Sequence, residues 1–128
     1  MSLCVLLAED EALIALSLAD LLEAEGYHVH LAPDGMTALA AARSLGAALD
    51  VLLTDLNMPG MSGEDLIQAL RAERPSLPVV VLTGAPPRGG VEELRRHGGG
   101  NGPLALLHKP VANSDLIAAL RETKTVCG

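Results

Sequence analysis

Val51-Leu52-Leu53-Thr54-Asp55-Leu56-Asn57-Met58-Pro59-Gly60-Met61-Ser62-Gly63 is the stretch that decides how this chain folds. Its first four residues, Val51 to Thr54, are apolar or β-branched and suit a strand buried on both faces. Asp55 then places a carboxylate where the strand stops, and Pro59, Gly60 and Gly63 impose a loop. Glu64 to Arg74 reads as a helix stopped by Pro75, because the residue before a proline is driven out of the α region. Strand, acid, loop and helix make one βα unit with a carboxylate at the carboxyl end of its strand.

Working outward, the same unit recurs on both sides. Leu3 to Ala8 is a continuous apolar strand. Glu11 to Glu25 follows as a helix with Leu13, Leu16, Leu21 and Leu22 on roughly one face, stopping at Gly26. His28 to Ala32 is a short strand, Pro33-Asp34-Gly35 a turn, and Met36 to Leu45 an alanine-rich helix ending at Gly46. Val79 to Leu82 is the most strand-like run, followed by a glycine- and proline-rich loop through Gly90 and a short, weak helix over Val91 to His97. Leu104 to Leu107 supplies a fifth strand. Asn113 or Ser114 caps a last helix through Glu122, with Leu116, Ile117 and Leu120 facing inward. Five βα units without a tandem repeat predict a single α/β domain over residues 1–128, a doubly wound five-stranded parallel sheet covered by helices on both faces.

Composition narrows the functional classes. With 128 residues, 49% of them hydrophobic and 20% charged, the chain forms one soluble globular core, and no apolar run approaches the ~20 residues of a membrane span. Met1 to Ala8 leads straight into a strand with no basic region before a long apolar one, so no secretory signal is visible and a cytoplasmic location is expected. The formal net charge of -7 opposes attraction to nucleic acid or to anionic membranes, so neither is expected as a direct partner. Cys4 and Cys127 have no ligand-like spacing to each other or to histidine and read as free thiols. His28, His30, His97 and His108 are scattered and read as structural or solvated.

In a parallel sheet the carboxyl ends of the strands gather along one edge. Glu9-Asp10, Asp55, Thr83 and Lys109-Pro110 each end a strand run, so three carboxylates, a hydroxyl and an ammonium are expected in one crevice. The ordered set Ala-Glu-Asp, Thr-Asp-Leu-Asn-Met-Pro-Gly-Met-Ser-Gly, Val-Leu-Thr-Gly and His-Lys-Pro resembles the receiver domain of two-component response regulators over nearly the whole chain. The resemblance implies a flavodoxin-like, CheY-like (βα)5 fold with strand order 2-1-3-4-5. It also implies a phosphorylation switch in a phosphorelay, fed by a histidine kinase or histidine phosphotransfer protein and controlling a partner or output domain.

The chemistry agrees with that implication. A carboxylate attacks an anionic phosphoryl group only if a cation offsets the charge, and phosphoryl transfer depends mainly on positioning and neutralisation. Mg2+ prefers a few carboxylate oxygens with water and phosphate oxygens, which Glu9, Asp10, Asp55 and the backbone carbonyl of Asn57 would provide. By resemblance Asp10 and Asp55 bind it directly and Glu9 acts through water. Asp55 is the expected phosphoryl acceptor, with Lys109 pairing one phosphoryl oxygen and Thr83 hydrogen-bonding another. Without metal, the clustered carboxylates are expected to raise at least one pKa. Plainer roles exist for each group: Glu9, Asp10 and Glu11 could cap the first helix, Asp55 could form a turn, and Thr83 is an ordinary β-former. Lys109, one of two lysines, ends an apolar strand where an unpaired ammonium is costly, which favours a partner such as Asp55.

Two departures from the family pattern stand out. Leu106 occupies the position, three before the lysine, where receivers commonly carry Tyr or Phe, and Tyr27 is the sole aromatic. The stretch from Thr83 to Lys109 also looks long and holds Gly98-Gly99-Gly100-Asn101-Gly102, so any response is expected to pass through the Thr83 to Gly90 loop. A stand-alone receiver and a receiver within a longer hybrid kinase or transcription factor both fit. A haloacid dehalogenase-like phosphohydrolase fits poorly, because its nucleophile ends the first strand and an acid usually follows two residues later, where Asn57 stands here. A pseudo-receiver that only binds protein conflicts with the complete acidic set.

Overall fold

Successive residues of each strand face opposite sides of the sheet, and in its centre both sides are covered, which is why the central strand runs are apolar without interruption. The computed structural model describes residues 3–85 and 87–127, the side chains of 124–127 excepted, so the thiol of Cys127 lies outside the described residues. The strands are β1 (Cys4–Ala8), β2 (His28–Ala32), β3 (Val51–Asp55), β4 (Val79–Thr83) and β5 (Leu104–His108). They pair in parallel in the order β2-β1-β3-β4-β5, the flavodoxin-like arrangement. Between them run α1 (Ala12–Ala24), α2 (Gly35–Leu45), α3 (Gly63–Glu73) and α4 (Gly90–Gly98), with α5 (Asn113–Cys127) last. A 3-10 turn at Gly46–Ala48, which the sequence did not announce, links α2 to β3.

Leu6, Leu52, Val79 and Val81 pack with Leu39, Leu66, Ile67 and Leu94 of α2, α3 and α4. Val5, Leu7, Leu53 and Val80 pack on the other face with Leu22, Leu116 and Leu120 of α1 and α5. One expectation for α1 is corrected. Its buried residues are Ala15, Ala19 and Leu22, whereas Leu13 is 84% and Leu16 54% exposed. Leu22 and, in part, Leu21 keep the expected inward face, while earlier in the helix Ala15 and Ala19 are buried and Leu13 and Leu16 turn towards solvent.

Arg71, a charged residue of α3, is only 3% exposed. Its guanidinium donates to the carbonyls of Leu77 (2.9 Å), Pro103 (2.8 Å) and Gly99 (3.3 Å), tying the entries of β4 and β5 and the end of α4 to α3. Burial and the charge of Arg95 lower its pKa. The glycine run beside it is a backbone requirement. Gly99 and Gly100 have φ of 72° and 74°, and a Cβ on Gly100 would lie 2.5 Å from the Pro75 carbonyl oxygen and 3.0 Å from Arg71 Cδ. Arg71→Ala removes these bonds and leaves buried carbonyls unpaired, so urea denaturation should show a loss of about 2–4 kcal/mol. A loss below a few tenths of a kcal/mol would show that Arg71 holds nothing together.

Candidate functional site

The strand register brings distant residues to one edge. Ala8 pairs with Thr54, Asp55 with Leu82 and Thr83 with His108, so β1, β3, β4 and β5 all end within one row of the sheet. Two further bonds carry the alignment beyond the strands: the Glu9 amide donates to the Ala32 carbonyl (3.0 Å) and the Lys109 amide to the Thr83 carbonyl (2.9 Å). The peptide bond between Lys109 and Pro110 is cis.

Asp55, 8% exposed, lies at the centre. Its Oδ2 accepts from Lys109 Nζ at 2.8 Å, and its Oδ1 accepts from the Asn57 amide at 3.1 Å. Lys109 Nζ also lies 3.5 Å from Glu9 Oε2. The expected lysine–aspartate pair is therefore present, and the ammonium spans two acids contributed by different strands. Thr83 is fully buried, and its hydroxyl accepts from the Ala85 amide at 3.1 Å.

Two neighbours of Asp55 gave less warning in the sequence. The buried Thr54 hydroxyl donates to the Asp55 carbonyl at 2.8 Å. Gly63, the first residue of α3, donates its amide to the Leu56 carbonyl at 2.9 Å, and a Cβ there would run into the Asp55 carbonyl and stand 2.8 Å from Leu56 Cα. The helix start can thus press against the loop that follows Asp55 only if residue 63 has no side chain. Ser62 caps that helix by accepting from the Asp65 amide at 3.2 Å, and Ser-Gly-Glu-Asp is the sequence signal for it.

Carboxylates outnumber cations here. Oxygens of Glu9, Asp10 and Asp55 all lie within 4.8 Å of one another. Glu9 is 4% exposed, and its Oε1 has no hydrogen-bond partner. Burial is the chief reason that its pKa is raised, with Asp55 adding to the rise and Lys109 opposing it. The expected rise is therefore found, but desolvation outranks repulsion between the acids. Burial alone would lower the pKa of Lys109, yet its bonds and charge contacts with Asp55 and Glu9 prevail and raise it. The ammonium stays charged through neutral pH. An unpartnered buried carboxylate oxygen in a cluster of hard oxygen donors fits a small divalent cation, whose ligands stand ~2.0–2.1 Å from it and hence ~4 Å apart across it.

A raised carboxylate pKa favours the folded state at low pH, and that contribution is lost as pH rises through the folded value. In chelator, wild-type protein should lose stability as pH climbs from the acidic range through the Glu9 titration. Glu9→Gln should flatten that loss and raise the urea midpoint at neutral pH. Adding a divalent cation should reverse the ranking. Equal midpoints in chelator would show that the Glu9 charge carries no cost.

The comparisons with known proteins agree with this geometry. The family described as "Response regulator receiver domain" matches residues 5–121. The transcriptional regulatory protein PdtaR of Mycobacterium tuberculosis is 40% identical over 117 residues, covering 91% of this chain and 54% of PdtaR. The sensory transduction protein RegX3 of Mycolicibacterium smegmatis is 47% identical over 79 residues, covering 62% of this chain and 33% of RegX3. The chain spans between a third and about half the length of these two relatives. Among solved structures, a receiver domain protein from Clostridium thermocellum superposes with a TM-score of 0.84 at 27% identity, covering 98% of this chain and 96% of its own. The chemotaxis protein CheY4 of Vibrio cholerae superposes with a TM-score of 0.83 at 29% identity, covering 96% and 99%. Sequence, fold and the acid-lysine cluster at the sheet edge agree: the chain belongs to the receiver domain family of two-component response regulators.

Proposed function

We propose that this receiver accepts a phosphoryl group on Asp55 from the phosphohistidine of a histidine kinase or a histidine phosphotransfer protein. The observation that carries the reading is the 2.8 Å contact of Lys109 Nζ with Asp55 Oδ2 beside the unpartnered Oε1 of buried Glu9. An Asp55 carboxylate oxygen attacks phosphorus, the phosphorus–nitrogen bond of the donor breaks, and the imidazole leaves and takes up a proton. Lys109 turns its charge to the incoming phosphoryl oxygens. The Thr83 hydroxyl exchanges its acceptor contact with the Ala85 amide for donation to one of them. Glu9, Asp10, Asp55 and the Asn57 carbonyl are the residues that would hold Mg2+, which neutralises charge on the transferring group.

Loss of the phosphoryl group to water returns Asp55 to a carboxylate, so the domain catalyses its own dephosphorylation without being an enzyme on a separate substrate. A cytoplasmic setting suits a donor charged from ATP. The exchange at Thr83 would reorder the segment up to Gly90, where the Gly89 amide donates to Glu93 Oε2 at 2.9 Å, and so reach α4 without an aromatic at Leu106. An output partner or domain would read that change.

The donor has an apolar place to dock. Leu13, Ile14 and Leu18 of α1 form a groove with Leu82, Pro110 and Val111 that includes Lys109 itself. Leu13 is 84% exposed, so a helical donor surface seated there delivers its phosphohistidine next to the site.

Intact-protein mass spectrometry after incubation with acetyl phosphate and Mg2+ should show one phosphoryl addition, absent with chelator and absent in Asp55→Asn. Lys109→Ala should slow labelling at least tenfold. No addition to the wild-type protein from either acetyl phosphate or a phosphorylated histidine donor would overturn the reading. Leu13→Glu should slow transfer from the protein donor while leaving acetyl phosphate labelling unchanged. Equal slowing of both would show that Leu13 acts on the site rather than on docking.

A further inference from the structure

His28 and His30 belong to β2, the edge strand of the sheet, and being two residues apart they project from the same face. Their rings stand with centroids 5.0 Å apart and planes at 68°. Among the described residues neither imidazole has a hydrogen bond or an ion pair, so the ring nitrogens are uncommitted. His28 is exposed and His30 half-buried, which leaves the pair open to a solute at the free edge of the sheet.

We propose that His28 and His30 form a chelate for a borderline transition cation such as Zn2+, Ni2+ or Cu2+, separate from the acidic cluster. Imidazole suits these ions and disfavours Mg2+, which takes hard oxygens, so the two sites divide by ligand chemistry. The ring geometry fits. An ion ~2.0–2.1 Å from one nitrogen of each imidazole sits about 3.2 Å from each ring centre, and a tetrahedral angle then separates the centres by roughly 5.2 Å. The observed spacing of 5.0 Å is close to that value, and rotation of the rings about their Cβ–Cγ bonds out of the present edge contact would turn one nitrogen of each towards the ion. The net charge of -7 favours approach of a cation. Among the described residues the Glu9, Asp10 and Asp55 cluster is the sole group of three or more metal-ligating side chains close enough to share an ion. The histidine site is therefore a two-imidazole chelate with its remaining positions filled by water. Cys4 is the register partner of His28, so the ion would sit over the strand pair β1 and β2, away from the strand ends where Asp55 lies.

The test is a Zn2+ titration of the intact chain in excess Mg2+, which keeps the acidic cluster occupied. Binding is followed calorimetrically and by the imidazole carbon-bound proton resonances. One equivalent should bind, with the His28 and His30 resonances moving together while those of His97 and His108 stay in place. His28→Gln and His30→Gln should each weaken binding at least about tenfold, because each removes one arm of an intramolecular chelate. Circular dichroism should show both variants folded, as expected for an edge strand. Zn2+ binding that leaves these two resonances unmoved, or that survives either substitution at full strength, would overturn the proposal. So would binding abolished by Asp55→Asn, which would assign the ion to the acidic cluster.

Discussion

The contact between Lys109 Nζ and Asp55 Oδ2 is the interaction on which the rest of this structure converges. It joins the ends of β5 and β3, which are separated by β4 in the sheet, and it forms only if all three strands stop in register. The ladder provides that register, and both of its faces are sealed by helices over the central strands β1, β3 and β4, which run apolar on both sides. Gly63 lets the start of α3 press against the Asp55–Leu56 backbone, fixing the strand end from behind. The lysine then spans Asp55 and Glu9, two acids that would otherwise face each other without compensation.

That compensation is incomplete, and the shortfall is chemically useful. Three carboxylates share one ammonium, and the buried Glu9 Oε1 has no partner. A core built for stability alone would hold neither an unsatisfied buried oxygen nor a clustered negative charge, since each lowers the stability of the fold. Arg71 offers the contrasting case, a buried charge whose bonds to three carbonyls serve the architecture at the opposite end of α3. One polar cluster is nearly satisfied and structural, while the other is left open at the sheet edge.

The fold was legible because its signals are local. Apolar runs, glycines and prolines between them, and the polar or charged residues that end the runs sufficed to place five strands and to group Glu9, Asp10, Asp55 and Lys109. The resemblance to a known family supplied the strand order. What escaped depends on neighbours from elsewhere in the chain. Of the leucines of α1 that looked like one inward face, Leu21 and Leu22 pack on the core, but Leu13 and Leu16 are exposed and Ala15 and Ala19 are buried in the first half of the helix. Arg71 gives no sign in sequence that three carbonyls await it. The glycines at 99 and 100 read only as an interruption in a long stretch, yet both have positive φ, and Gly100 lies against the Pro75 carbonyl and Arg71. Cys4 and His28 have no meaningful spacing along the chain and become neighbours only through parallel pairing.

The most direct measurement is paramagnetic broadening of backbone amides on titration with Mn2+, which takes the same hard oxygen ligands as Mg2+. The account predicts that the earliest losses cluster at Glu9, Asp10, Asp55 and Asn57, spread next to Thr83 and Lys109, and are displaced by Mg2+. Broadening centred on another acidic surface, such as Glu92 and Glu93 of α4, with the strand ends unaffected, would contradict it.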